Sequence, residues 1–424
     1  MIGVILVGGL IGLVMFGMPI GFALGIIGLS LLLMLGTAPL DIVPISLFDG
    51  SNSFPLLAIP LFMLVGELMD ACNLSRRLVA FAGSLVGFIR GGLAQVVVVT
   101  SMFFAEISGS AVAGAAALGS VLIPEMKKKG YPDGFAAALV SVAATMAIIL
   151  PPSIPMILYG VMAGVSVAKL FIAGIIPGII VAISLMLVNY FYARKYGFEA
   201  ENSFSVVNVG KTFKEAFWAL MIPVIILGGI LGGIFTPTEA AAIAAVAAFI
   251  IGSVVYRELK WSMLPKMLLG AANQTAVVMI IIATSALVGW FLTSERIPQG
   301  LASSVMALTN NPIAVLAILN VFFLIVGMIM HSAAAIIMLV PILMPLIHEL
   351  GIDPIHFGII VTINLGIGQQ TPPVASVLLT TCAVGNVPLV KTFKYLKVFI
   401  AVMLVILAIV TYIPVISTWL PSII

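Results

Sequence analysis

A run of polar and small residues interrupts an otherwise apolar stretch near position 108. Glu106-Ile107-Ser108-Gly109-Ser110 lies in the middle of residues 93–124, which are mostly apolar or small. Gly109 permits a tight turn, and a turn inside an apolar medium leaves carbonyls that need protein, water or an ion. The hydroxyls of Ser108 and Ser110 add oxygen ligands, so the pattern predicts a site for a hard cation such as sodium. A close helix contact, in which serine bonds back to the backbone, is the alternative.

Two double prolines interrupt two other apolar stretches. Pro151-Pro152 lies within residues 132–163, and Pro372-Pro373 lies within residues 355–384. Each pair removes two amide donors and disfavours helix before it, which frees carbonyls about one turn upstream. Free carbonyls suit a monovalent cation, and the N-terminus of the helix after the break suits a carboxylate. A simple proline kink is the alternative, but breaks at matching positions of two halves are typical of a transporter binding site.

These interruptions together predict one binding site. The cation is expected to contact the first tip and both breaks, at Ser108, Gly109, Ser110, Thr145, Ile148, Gly366, Gln369 and Thr371. The acid is expected near the breaks and the second hairpin, at Pro152, Ser153, His331, Asn364, Gln370 and Pro373. Five of the seven residues 364–370 are polar or glycine, which favours a lined cavity over amides that only join helices.

The ionisable residues taken as candidate functional groups are Glu106, Glu239 and His331. His331 follows Ser110 by 221 positions, and either a substrate or proton contact or a satisfied buried imidazole would explain it. Glu239 follows Thr236-Pro237-Thr238, a helix-capping arrangement that favours a structural role. Glu106 precedes the first tip. Because no Lys or Arg is predicted at this depth, a bound carboxylate would meet hydroxyls, helix ends and co-bound cations.

The composition predicts an integral membrane protein. Hydrophobic residues make up 62% of the 424 residues and charged residues only 8%, whereas soluble domains carry about 25% charged residues. The net charge of +3 comes from scattered Lys and Arg, which argues against nucleic acid as a partner. There is no phosphate-binding glycine loop and no zinc-spaced histidine pair, so we expect no ATPase or metalloenzyme. The two cysteines define no disulfide framework, and residues 1–35 read as a retained membrane segment.

The chain divides into two similar halves. The longest polar stretch, 194–216, separates residues 1–193 from residues 217–424. Four Gly or Pro pairs recur 221 residues apart, at Pro124 and Pro345, Gly130 and Gly351, Pro151 and Pro372, and Pro152 and Pro373. Because Gly and Pro punctuate the backbone, shared punctuation indicates shared structure. We therefore predict two structural repeats joined by a cytoplasmic segment.

The positive charges predict that the two repeats are inverted. If the connecting segment is cytoplasmic, 16 of the 18 Lys and Arg lie inside, and only Lys169 and Arg296 lie outside. This count requires residues 93–124 and 312–347 to be re-entrant hairpins that point at each other from opposite faces. Residues 132–163 and 355–384 are then broken helices, as in many secondary transporters. One tilted helix over 93–124 is the alternative, but it would spoil the charge asymmetry.

Seven short stretches of the sequence resemble motifs of a known family. Residues 107–113, 124–131, 151–155, 169–177, 233–241, 351–358 and 371–373 are similar to motifs of the large membrane subunit of tripartite ATP-independent periplasmic (TRAP) transporters. The matches spread over nearly the whole chain and are specific only in combination. The resemblance implies an elevator-type transporter of the bacterial inner membrane, with sodium sites at the hairpin tips and breaks. It also implies a small membrane subunit and a periplasmic substrate-binding protein as partners.

The predicted function is therefore sodium-coupled import of a carboxylate, such as sialic acid or a C4-dicarboxylate, across a lipid bilayer. No cofactor is expected, and sodium is the coupling ion. A single-component sodium/dicarboxylate symporter, which needs no binding protein, is the first alternative. A membrane enzyme using Glu106 and Glu239 is the second, although these acids lie in different repeats. The residues do not select one acid.

Overall fold

The computed structural model describes the chain except residues 1–7, 11, 14–15, 37–38, 73, 202 and 424. The start of the predicted membrane segment 1–35 thus lies outside the described residues. All regular structure in the described part is helical. The helices are α1 Ile20–Leu35, α2 Ile42–Ser51, α3 Ala58–Ala71, α4 Leu74–Val86, α5 Gly92–Ser108, α6 Ala111–Lys128, α7 Asp133–Ala144, α8 Met146–Ile149, α9 Ile154–Ala163, α10 Val167–Tyr196, α11 Val206–Leu231, α12 Pro237–Ile250, α13 Leu264–Ser294, α14 Ile297–Leu308, α15 Pro312–Ile329, α16 Ser332–Glu349, α17 Pro354–Gly368, α18 Ser376–Gly385, α19 Leu389–Tyr412 and α20 Val415–Ile423.

The lengths of these helices confirm an all-α membrane protein. Within the described residues, nine helical stretches are long and apolar enough to cross a membrane. Their outer faces expose large apolar side chains, among them Leu187, Val321 and Val405, which a lipid bilayer would cover. The composition therefore predicted the class of protein correctly.

Both predicted hairpins are present. In the first, α5 ends at Ser108, Gly109 adopts a left-handed conformation, and α6 begins at Ala111. In the second, α15 and α16 meet at Met330 and His331, which are extended. The turn at Gly109 rules out the alternative of one continuous helix over 93–124.

Both predicted broken helices are also present. The first comprises α7, the short helix α8 and, beyond the double proline, α9. The second comprises α17 and, beyond its double proline, α18. The peptide bonds Pro151–Pro152 and Pro372–Pro373 are both cis.

The helices of the two halves correspond in position. Helices α5 and α15, α6 and α16, α7 and α17, and α10 and α19 begin 220 to 222 residues apart. Much of the connecting segment 194–216 is helical. Helix α10 continues to Tyr196, where Gly197 ends it, and α11 begins at Val206, where Ser205 accepts a hydrogen bond from the amide of Asn208. This cap starts α11 at Val206, so only residues 197–205 connect the two helices.

The helices that position the site fall into two packed groups. In the hairpin group, which we define as α5–α9 and α15–α18, α6 packs on α7 and α18, α16 packs on α9, and α15 packs on α17. In the wall group, α1–α4 and α11–α13, α13 packs on α1, α2 and α3. The groups meet where α3 and α4 contact α5 and where α13 contacts α16.

Candidate functional site

A cavity of about 550 Å³ lies where the two groups meet. Its lining comes from both hairpin tips, both helix breaks and the wall helices α3 and α13: Met63, Gly109, Ser110, Ala111, Val112, Ala113, Ala116, Ile148, Ile154, Pro155, Gln274, Val277, Val278, His331, Ser332, Ala333, Gln369, Ser376 and Thr380. Elements far apart in the sequence therefore meet in one place, as a binding site requires.

The first hairpin tip is attached to the first break. The amide of Ile154 donates a hydrogen bond to the carbonyl of Gly109 over 3.3 Å. Gly109 has a φ of 57°, and a Cβ there would lie 3.1 Å from the carbonyl oxygen of Pro152. The tip can approach the break this closely because residue 109 has no side chain.

The second hairpin tip is attached to the second break in the same way. The amide of Val374 donates to the carbonyl of Met328 over 3.1 Å. Gly327 and Gly368 lie in direct backbone contact, because a Cβ at Gly368 would lie 2.5 Å from Gly327. Each tip is thus fixed to the broken helix of its own half.

The two breaks are joined across the centre of the molecule. The Gln370 side-chain amide donates to Thr145 Oγ1 over 2.9 Å and to the carbonyl of Gly366 over 3.1 Å. Thr145 Oγ1 donates to the carbonyl of Val142 over 2.7 Å. All of these atoms belong to buried residues, so the bonds form a polar core beneath the cavity.

The predicted site residues separate into three sets. Those that line the cavity are Gly109, Ser110, Ile148, His331 and Gln369. Those buried beneath it around the breaks are Thr145, Pro152, Ser153, Gly366 and Gln370. Those at neither place are Asn364, Thr371 and Pro373, with Pro373 exposed. Ser108 ends α5, and its side chain lies outside the described part of the structure.

Like Gln370, two further residues assigned to the acid have partners within the fold. Ser153 Oγ donates to the carbonyl of Ile148 over 2.8 Å and accepts from the amide of Met156. It therefore satisfies a carbonyl that the double proline frees. Asn364 donates to Asn320 Oδ1 over 2.7 Å and so joins α17 to α15. This is the helix-joining role that the sequence left as the alternative, because residue 364 lies on the face of α17 that packs against α15.

Gln369 has the polar group best placed for a ligand. It is 1% exposed, and neither its amide nitrogen nor its amide oxygen has a hydrogen-bond partner in the protein. A buried amide without a partner costs roughly 1–3 kcal/mol, a cost that a bound ion or polar ligand would remove. Of the described residues that line the cavity, His331 is the only one with a titratable side chain. Its Nδ1 accepts from the amide of Ala333 and caps α16.

Three polar residues of the wall group were not identified from the sequence. Gln274 of α13 lines the cavity, and its amide donates to Glu67 Oε1 of α3 over 2.7 Å. Glu67 and Asp70 line a small pocket next to the cavity. Two acids three residues apart inside the apolar stretch 54–72 were a signal that could have identified them.

The remaining acidic candidates do not form an acid pair at the cavity. Glu239 accepts hydrogen bonds from the amide and hydroxyl of Thr236, as the capping pattern predicted. Glu106 lies on α5, and neither acid lines the cavity. The described residues also contain no group of three His, Cys, Asp or Glu able to hold a metal ion.

A solved structure has the same fold. The crystal structure of the YdaH transporter of Alcanivorax borkumensis superposes with a TM-score of 0.63 at 16% identity, covering 90% of this chain and 88% of that one. At this level of identity the likeness concerns the fold alone.

The sequence comparisons are more specific. Residues 7–416 match the family model of the tripartite ATP-independent periplasmic transporter, DctM component. The chain is 44% identical to a C4-dicarboxylate TRAP transporter large permease of Pseudomonas aeruginosa, covering 94% of each. It is 36% identical to a sialic acid TRAP transporter large permease of Vibrio cholerae, covering 98% and 97%. It is 42% identical to an isethionate TRAP transporter permease of Oleidesulfovibrio alaskensis, covering 94% of this chain and 63% of that relative. The chain therefore belongs to the family of TRAP transporter large permeases.

Proposed function

We propose that this permease imports a small organic acid together with sodium, taking the acid from a periplasmic binding protein and working with a small membrane subunit. One observation carries the proposal. Four helices of the hairpin group begin at the cavity, with Ala111 of α6, Ile154 of α9, Ser332 of α16 and Ser376 of α18 in its lining.

The four helix N-termini can hold an anion without a basic side chain. A helix N-terminus carries partial positive charge and unpaired amides, and its interaction with an anion contributes about 0.3–1 kcal/mol when exposed and up to about 2 kcal/mol when partly buried. No Lys or Arg is among the described residues lining the cavity. The acid group would therefore lie among the helix ends, with co-bound cations completing the charge balance.

Sodium would bind to neutral oxygens around the tips and breaks. Gly109, Ser110 and Ile148 line the cavity, and so does Gln369, whose amide oxygen has no hydrogen-bond partner in the protein. Hard cations favour oxygen ligands of this kind. A sodium ion here would stabilise the acid through charge, which couples the two binding events.

The relatives indicate the class of substrate. Their names give a C4-dicarboxylate, sialic acid and isethionate, which share a small size and an acid group. For this chain we propose a small organic acid, a carboxylate or its sulfonate analogue. Sialic acid and C4-dicarboxylates are both members of this class.

The two helix groups suggest how access alternates. In an elevator mechanism the hairpin group would slide along the wall group and carry the cavity across the membrane. The start of α11, with Val206 73% and Val207 84% exposed, would lie along the membrane beside the small subunit. Alternating access by movement of one unit against another is typical of inverted-repeat transporters.

Uptake into proteoliposomes tests the proposal. Liposomes containing the permease, its small subunit and candidate acids with their binding proteins should accumulate acid only under an inward sodium gradient. Gln369→Met removes the unpaired amide, and we expect the sodium or acid concentration for half-maximal uptake to rise about tenfold, the equivalent of about 1.4 kcal/mol. Thr381→Val is the matched control, because its buried hydroxyl bonds only within α18.

Two outcomes would contradict the proposal. Uptake that does not depend on the sodium gradient would remove the coupling. Equal uptake with and without the binding protein would favour the single-component symporter, which shares the cavity but needs no periplasmic partner.

A further inference from the structure

The wall side of the cavity carries one polar group of defined orientation. Gln274 is the only amide, acid or hydroxyl residue that the wall group contributes to the described lining, beside Met63, Val277 and Val278. Its amide nitrogen lies 2.7 Å from Glu67 Oε1. An ionised carboxylate only accepts hydrogen bonds, so this contact fixes which end of the Gln274 amide is nitrogen. The carbonyl oxygen remains for a ligand.

The carboxylate of Glu67 is itself closely held. A Cβ added at Gly270, one helical turn before Gln274, would lie 2.8 Å from Glu67 Oε1 and 2.9 Å from Oε2. Glu67 therefore packs directly against the backbone of α13. Glu67 and Gln274 both line the small pocket. Gln274 also lines the main cavity, whereas Glu67 does not.

We infer that Gln274 determines specificity by accepting a hydrogen bond from a hydroxyl of the acid, and that Glu67 is its positioning residue. The inference rests on the proposed function and adds the substrate class: small acids that carry a hydroxyl away from the acid group. The acid group lies at the helix N-termini of the hairpin group, and the hydroxyl faces the wall.

A binding measurement on the permease with its small subunit in nanodiscs tests the inference without the selectivity of a binding protein. The probes are two pairs that differ by one hydroxyl, isethionate with ethanesulfonate and malate with succinate, each measured in sodium. We expect the hydroxylated member of at least one pair to bind about 3- to 10-fold more tightly, as one net hydrogen bond provides. Gln274→Met should abolish this ratio by weakening only the hydroxylated acid.

Two further variants separate positioning from packing. In Glu67→Gln the side chain at 67 can donate as well as accept, so the Gln274 amide is no longer fixed, and the ratio should fall toward 1 while the acid lacking the hydroxyl binds as before. Thr275→Val is the control, since Thr275 is adjacent, contacts Met63 Sδ and does not line the cavity. It should keep the ratio.

The failures are distinguishable. If none of the four acids binds in sodium and uptake also fails, the proposed function and this inference both fall. If acids bind but the ratio is 1 in the unaltered protein, or Gln274→Met leaves it unchanged, only the inference is overturned.

Discussion

At the scale of single residues, the first hairpin tip depends on Gly109. Its φ of 57° is a left-handed conformation, and its missing Cβ leaves room for Pro152 and Ile154 within 3.4 Å. Both features disfavour any other residue. The sequence predicted the turn. Only the contact with Pro152 and Ile154 shows that a side chain at residue 109 would also lack room.

We predict that Gly109→Ala destabilises the tip and reduces uptake. The left-handed conformation costs an L-residue about 1–2 kcal/mol, and the contact with Pro152 adds to this cost. The thermal unfolding midpoint of the purified protein and its uptake rate are the measurements. Gly210→Ala is the control, because residue 210 lies in α11 with nothing within 4 Å. Equal effects of the two changes would contradict the role given to Gly109.

Two buried amide residues near the end of α17 show that residue type alone does not identify a ligand-binding group. Asn364 and Gln369 are five positions apart and both buried. Asn364 donates to Asn320, whereas the amide of Gln369 has no partner in the protein. The sequence assigned both to the site. Which face of α17 packs against α15 depends on contacts distant in the chain, so the sequence could not separate them.

At the scale of elements, the double prolines act through their neighbours. They end α8 and α17 and remove amide donors, but Ser153 then satisfies the carbonyl of Ile148. In the second break Gln370 bonds to Thr145 of the first. The breaks are therefore joined to each other. The free carbonyls that the sequence predicted are therefore only some of the hydrogen-bonding groups at the breaks.

The opposite orientation of the two halves stays a prediction, and cysteine labelling tests it. Ser51→Cys at the end of α2 should react with a membrane-impermeant thiol reagent from the periplasm. Lys128→Cys, at an exposed position at the end of α6, should react only from the cytoplasm. Cys72 and Cys382 are buried, so the unaltered protein is the control. Labelling from the reverse sides would overturn the topology.

At the scale of the whole molecule, family membership decides between the classes of function. The relatives are named transporter permeases, which confirms that the chain is a transport protein rather than an enzyme. It also confirms a multi-pass protein of the inner membrane, in agreement with the nine apolar helical stretches within the described residues. The cavity between the hairpin and wall groups is where movement of one group would carry a ligand.

We predict that linking the two groups stops transport. Met63 of the wall group and Ala113 of the hairpin group line the same two pockets. Cysteines at both positions, bridged by a short reagent that reductant can cleave, should abolish uptake, and reduction should restore it. Each single cysteine variant treated with the same reagent is the control. Transport that continues in the bridged protein would contradict the elevator mechanism.

The sequence by itself determined the membrane class, the hairpins, the breaks and the family, because apolar runs and Gly and Pro positions act locally on the backbone. Only the tertiary structure decided which polar groups face the cavity. Four helix N-termini converge there, the Ser153 hydroxyl and the Asn364 amide nitrogen bond within the fold, and Glu67 contacts Gln274 from the wall. These facts depend on how helices far apart in the chain pack together, and no local pattern of residues encodes that packing.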